Sequence, residues 1–175
     1  MSDERRRSVT VVLMGVSGVG KSSVMAALAE RMVLAVAEGD EFHPAENIRK
    51  MRAGIPLTDA DRWPWLRSIA DWIGAREQAP VDAVVTCSAL RRSYRDILRD
   101  GHPSVGFVHL TATSSRLEQR LAARTGHYMP PSLLSSQLAL LEPLERDEPG
   151  FELSADRSVS ALADEIAARL GGPTA

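Results

Sequence analysis

The chain is poor in cysteine and in aromatic residues, and its charges nearly cancel. Its 175 residues hold a single cysteine, Cys87, so no disulfide can form within the chain. A lone thiol fits a reducing compartment. At the end of an apolar run, Cys87 reads as a small buried residue rather than a reactive one. Aromatic residues make up only 5%. The formal net charge of -2 argues against a mainly electrostatic nucleic-acid binder. No apolar run approaches the ~20 residues that cross a bilayer. The opening stretch, MSDERRRS, is charged and lacks the apolar centre of a signal peptide. A cytoplasmic protein with neither a nucleic-acid nor a membrane partner is expected.

Apolar residues make up 44% and charged residues 25%, ordinary proportions for one compact domain over residues 1–175. Residues 9–14 (VTVVLM) are continuously apolar and β-branched, as in a buried strand. Val24, Leu28 and Met32 recur at helical spacing in residues 21–32. Further strands are expected at 34–37, 83–87 (AVVTC), 105–110 (VGFVHL) and 150–153. Helices are expected at 44–52, from a Thr58–Asp59 cap through Ile73, at 91–99, 114–123, 133–142 and 158–170. Strands that alternate with helices imply a parallel sheet covered on both faces, in an α/β fold. Such sheets bind ligands beyond the carboxyl ends of their strands. The polar clusters GVSGVGKSS, EGDEFHP and CSALRR each follow a strand end, so one rim collects them.

Residues 15–22 satisfy G-x-x-x-x-G-K-[ST]. Phosphate oxygens must come close to main-chain N–H groups, and a Cβ would obstruct them. The N–H groups then converge as an anion nest at the start of the next helix. Gly15, Val16, Ser17, Gly18, Val19, Gly20, Lys21, Ser22 and Ser23 are therefore expected to hold a nucleotide. Lys21 supplies a positive charge for the β- and γ-phosphates, and the Ser22 hydroxyl a ligand for Mg²⁺. A chance glycine-rich turn is the competing reading; the strand before the motif and the helix after it weigh against that. The motif leaves open what receives the phosphoryl group.

Many P-loop enzymes take a second carboxylate for Mg²⁺ from an Asp at the end of another strand. Here the obvious strand ends in Cys87-Ser88-Ala89, without an acid. The second strand ends instead in Glu38-Gly39-Asp40-Glu41. Two acids one glycine apart can divide two tasks, Glu38 on the metal side and Asp40 accepting the proton of an attacking hydroxyl. A solvated acidic turn is the alternative. Basic residues follow closely: His43, Arg49, Lys50, Arg52 and Arg62, then Arg91, Arg92 and Arg95. An anionic acceptor needs such partners once it leaves water, although any one of these arginines could belong to a solvated helix face. Arg120 and Arg124 lie four apart, on one helix face, before the turn-rich RTGHYMPP. A lid over about residues 120–142 is expected, which would exclude water from the transfer; an ordinary surface helix is the alternative.

Four stretches together resemble a known family: MGVSGVGKSSV, EGDEFHPAENIRKMRAGIPLTDADRWPWL, CSALRRSYRDILR and RLAARTGHYMPPSLLSSQLALLEPLE. The chain is similar to the gluconokinases of the small P-loop type, relatives of shikimate kinase. The second stretch is the discriminating one. The resemblance implies ATP-dependent phosphorylation of the 6-hydroxyl of D-gluconate, a nucleoside-monophosphate-kinase-like fold with a five-stranded parallel sheet and a lid, and a homodimer. It places ATP and Mg²⁺ on residues 15–22, Glu38 at the metal and Asp40 at the substrate. It places Arg62 on the substrate anion, Arg120 on the adenine and Arg124 on the lid. The expected catalytic set is Lys21, Asp40 and Arg124. The expected acceptor set is Asp40, His43, Arg49, Arg62, Ser88, Arg95 and His127, with Ser22 and Glu38 at the metal. Glu38 stands where relatives often carry Asp, Val19 where they carry Ser or Gly, and Tyr128 where they carry Phe. A kinase of another small hydroxy acid, and a nucleotide-binding module without catalysis, are the rival readings.

Overall fold

The apolar run near the start of the chain becomes the central strand of a parallel sheet. In the computed structural model, which describes residues 8–123 and 130–171, five strands lie in the order β2-β3-β1-β4-β5. They are β1 (Thr10–Met14), β2 (Leu34–Glu38), β3 (Asp82–Thr86), β4 (Val105–Thr111) and β5 (Gly150–Ser154), all parallel. β1 is buried along its whole length because strands flank it on both sides and helices cover the sheet. β2 lies at the edge, and its Val36 is half exposed.

The helices are α1 (Lys21–Ala29), α2 (Ala45–Arg52), α3 (Asp59–Glu77), α4 (Arg92–Arg99), α5 (Ser114–Ala122), α6 (Leu134–Leu140) and α7 (Val159–Arg169). α1 packs with α7, and α3 with α4. The expected cap of α3 is realised as a capping box. The Thr58 hydroxyl accepts the Asp61 N–H at 3.2 Å, and the Asp61 carboxylate accepts the Thr58 N–H at 2.9 Å. α6 is shorter than the periodicity predicts. Leu141 leaves helical geometry, the Glu142 N–H turns to the Leu90 carbonyl at 2.7 Å, and Pro143 follows.

Arg124, His127 and Tyr128 lie outside the described residues. The parts of the expected lid that are described begin in α5 and end in α6, and Leu121, Leu133 and Leu134 are buried there. Leu133 joins Met51 and Leu57 in a small apolar cluster separate from the main core. Among the described residues, no helix is long and apolar enough to cross a membrane.

Candidate active site

The phosphate loop leaves the end of β1, the middle of the sheet. At Gly15, φ is +142°, and a Cβ would lie 2.6 Å from the Leu110 carbonyl oxygen, so only glycine fits between β1 and β4. Lys21 opens α1 and folds back over the loop, its Nζ donating to the carbonyls of Gly15 at 2.9 Å and Val16 at 3.0 Å. The ammonium is thereby held against the loop.

Glu38 lies beside this loop. It ends β2 in register with Thr86 at the end of β3. Its Oε2 accepts from Ser22 Oγ at 3.0 Å and from Thr86 Oγ1 at 2.6 Å. β3 itself ends without an acid, and the carboxylate at its end comes from the neighbouring strand, bonded to Thr86. A carboxylate and a hydroxyl in contact are the hard oxygen donors that suit Mg²⁺.

Gly39 separates the two acids for a steric reason. A Cβ there would fall 1.9 Å from the Thr86 carbonyl oxygen. Its N–H donates to Thr86 Oγ1 at 3.1 Å, and its carbonyl accepts from Trp65 Nε1 at 2.7 Å. The chain then turns through a short 3₁₀ segment, Gly39–Phe42, which carries Asp40 onto the rim.

Two cavities meet at this turn. One follows the loop, past Gly18, Gly20, Ser22, Glu38 and Thr86. The other is walled by His43, Arg62, Ser88 and Gln137 over an apolar floor that includes Trp65, Leu57 and Leu133. Ser17, Lys21 and Asp40 line both. A third hollow beyond the loop is lined by Val19, Ser23, Arg120, Ala155 and Arg157. Arg120 bridges its sides, donating to the carbonyls of Val19 and Ala155, each at 2.9 Å.

Arg62 is buried in the wall of the second cavity. It donates to the Leu57 carbonyl at 2.6 Å and to Tyr94 Oη at 3.3 Å. Tyr94 in turn donates to Asp59; burial, then that bond, pushes its phenol up to about 12, so it stays protonated. His43 is also buried and stacks on Trp65 with ring centroids 4.1 Å apart. Burial pushes its imidazole down to about 4, opposed by Asp40 and aided by Arg62. His43 is therefore neutral near pH 7.

Two expected acceptor residues are not in this cavity. Arg49 points to solvent and pairs with Glu46 on the same face of α2. Arg95 is wholly buried; Glu148 binds its Nε at 2.6 Å and its Nη2 at 2.9 Å, and the carbonyls of Ala89, Glu142 and Pro143 take its other bonds. It secures the segment after α6 to α4. Burial pushes the Glu148 carboxyl upward, but the Arg95 bonds outweigh it and leave the group below its ordinary value. Cys87 is buried, and burial pushes its thiol up to about 12, which keeps it unreactive.

Sequence reasoning missed Thr86, Trp65, Asn47 and Gln137. Trp65 reads as a core residue of an amphipathic helix, and its stacking on His43 in the cavity lining has no sequence signal. Gln137 sits within a serine-rich stretch of α6, yet its Oε1 accepts the Ser17 N–H of the phosphate loop at 2.7 Å.

Comparison with known proteins bears on the family. No protein-family model matches the chain. It is 46% identical over 156 residues to a gluconokinase of Gluconobacter oxydans (strain 621H), covering 89% of this chain and 88% of that one. The fold matches an unliganded sugar kinase from Janibacter sp. HTCC2649 with a TM-score of 0.89 and 49% identity, over 94% of this chain and 95% of the other. It matches a gluconokinase from Sinorhizobium meliloti 1021 with a TM-score of 0.81 and 46% identity, over 95% and 93% of the two chains. By this extent of likeness and by the phosphate loop it carries, the chain belongs to the gluconokinase family.

Proposed function

We propose that this protein is an ATP-dependent kinase that transfers the γ-phosphoryl group to the 6-hydroxyl of D-gluconate, giving 6-phospho-D-gluconate. The observation that carries the reading is the shared lining of two cavities. Asp40 and Lys21 border both the phosphate-loop hollow and the deeper pocket walled by Arg62 and His43. A phosphoryl group on the loop and a hydroxyl in the pocket would therefore meet beside Asp40.

In this reading the loop N–H groups and Lys21 hold the β- and γ-phosphates. Ser22 and Glu38 would hold Mg²⁺, which supplies positive charge where the β- and γ-phosphates gather negative charge. Arg62 takes the gluconate carboxylate; its buried tethers keep it aimed without further ordering cost. Asp40 orients the 6-hydroxyl and accepts its proton as the O–P bond forms. Arg120 borders the hollow that suits the adenine, and Arg124 is a further cation for the transferring group. The sugar acid's hydroxyls meet Ser88 and His43 over the face of Trp65.

The test is gluconate-dependent release of ADP, with the product detected by a 6-phosphogluconate dehydrogenase couple. Turnover with gluconate well above shikimate and other small hydroxy acids is expected. ATP binding without gluconate-dependent ADP release would remove the proposal.

A further inference from the structure

Asn47 lies on α2, is buried, and is not among the residues lining either cavity. Its amide nitrogen donates to the Asp61 main-chain carbonyl at 2.9 Å and lies 3.2 Å from His43 Nδ1. A carbonyl oxygen only accepts, so the Asp61 carbonyl decides which end of the Asn47 amide faces it. The nitrogen then directs its second hydrogen at His43. An NH₂ group only donates, so Nδ1 must be the bare, accepting nitrogen of the ring. In a neutral imidazole the proton is then on Nε2.

No described group bonds Nε2, and His43 lines the second cavity. Trp65 closes one face of the ring. The charged groups that act on the imidazole are Asp40 from the turn after β2 and Arg62 from α3. With Nδ1 accepting from Asn47 and Trp65 stacked on the ring, the one N–H left on this cavity-lining residue is at Nε2.

We propose that Asn47 is a positioning residue for the acceptor site: it locks His43 as the Nε2–H tautomer, and His43 donates that hydrogen bond to an oxygen of the bound polyhydroxy acid. The second half of this statement rests on the gluconate reading above; the first half does not. A pocket with a neutral donor at this point favours an acceptor whose hydroxyl oxygens can receive a bond, and disfavours an acid with a methylene there.

Two experiments test it. Nitrogen-15 NMR of the full chain with labelled histidine, at pH 7 and without substrate, should show His43 protonated at Nε2 and bare at Nδ1. A ring protonated at Nδ1 would overturn the lock. In Asn47→Leu, which keeps bulk and removes the donor, the His43 signals should shift toward mixed tautomers, with the KM for gluconate raised about tenfold and the KM for ATP unchanged.

The second experiment compares His43→Gln with His43→Phe. Gln can return an N–H near the Nε2 position, whereas Phe keeps the stacking on Trp65 and loses the donor. Gluconate KM near the wild-type value for Gln and about tenfold higher for Phe supports the assignment. Equal KM for Phe and wild type would make His43 a packing residue only. A wild-type chain without gluconate turnover would overturn the functional reading, whereas the substrate-free spectrum reports on the lock alone.

Discussion

Gln137 of α6 and Ser17 of the phosphate loop are joined through one bond, in which Gln137 Oε1 accepts the Ser17 N–H at 2.7 Å. Both residues line the second cavity, so a helix within the expected lid touches the phosphate loop as well. Gln137→Glu preserves an accepting oxygen but sets a negative charge beside the phosphates. ATP affinity should fall at least tenfold in Gln137→Glu and by less than about threefold in Gln137→Ala. Calorimetric titration of both variants checks this, and equal losses would mean that charge at this position is not felt by the nucleotide.

Glu38, the last residue of β2, accepts hydrogen bonds from Ser22 and Thr86, and in the proposed reading it holds Mg²⁺ with Ser22. Glu38→Gln can keep both bonds while losing the charge. The free Mg²⁺ concentration for half-maximal rate should rise about tenfold or more, with gluconate KM little changed. Initial rates against Mg²⁺ at saturating ATP make the measurement. An unaltered Mg²⁺ curve would free Glu38 of a metal role.

Asp40 is exposed on the rim where the two cavities meet. Asp40→Asn should lower kcat by roughly 10²–10⁴ while ATP affinity holds, since general-base assistance is lost and the loop is untouched. Single-turnover rates separate chemistry from product release. Retained turnover would assign the proton to another acceptor.

The buried pair of Arg95 and Glu148 predicts a stability effect rather than a substrate effect. Arg95→Met leaves a buried carboxylate without its partner and should cost about 3–5 kcal/mol. Adding Glu148→Leu should recover a large part of that loss. Arg49→Ala, on the solvent side of α2, should leave gluconate KM within about twofold. Urea unfolding and steady-state kinetics on the three proteins give the answer. A large gluconate KM change in Arg49→Ala would return it to the acceptor site.

His43 sets a pH signature. Its folded-state pKa is lowered from 6.5 to about 4, so between those values the unfolded chain takes up a proton that the folded chain refuses. Stability is therefore full above the upper value and falls as the pH drops through the window. Between pH ~6.5 and ~5, above the range of most carboxylates, the loss should be about 1.6 kcal/mol. His109, lowered in the same direction chiefly by burial, adds to the loss. Urea unfolding of His43→Gln across this range should show a shallower fall. Parallel curves would acquit His43.

Much of the site was legible because its signals are local. A glycine-rich turn after a buried strand requires the main chain itself, and a spacing of eight residues records it. Glu38 ends β2 and Asp40 follows it, so the parallel sheet delivers both to the rim whatever else the fold does. The arginines were harder to read. Arg49, Arg62 and Arg95 all lie near polar clusters in the chain, yet one meets solvent, one lines the cavity and one is buried in an ion pair. Helix rotation and the return of residues 142–148 decide among them, and neither is written in local spacing.

By itself, the sequence determined the alternation of strands and helices, the phosphate loop and the pair of acids one glycine apart, because each depends on residues within one short segment. Which groups meet across segments depends on how the elements pack in three dimensions. Examples are Thr86 beside Glu38, Trp65 beneath His43, Gln137 on Ser17, and the Asp61 carbonyl that orients Asn47. The physical reason is that hydrogen-bond direction and burial are properties of neighbours in space, and these neighbours come from separate elements brought together by the sheet and its helices.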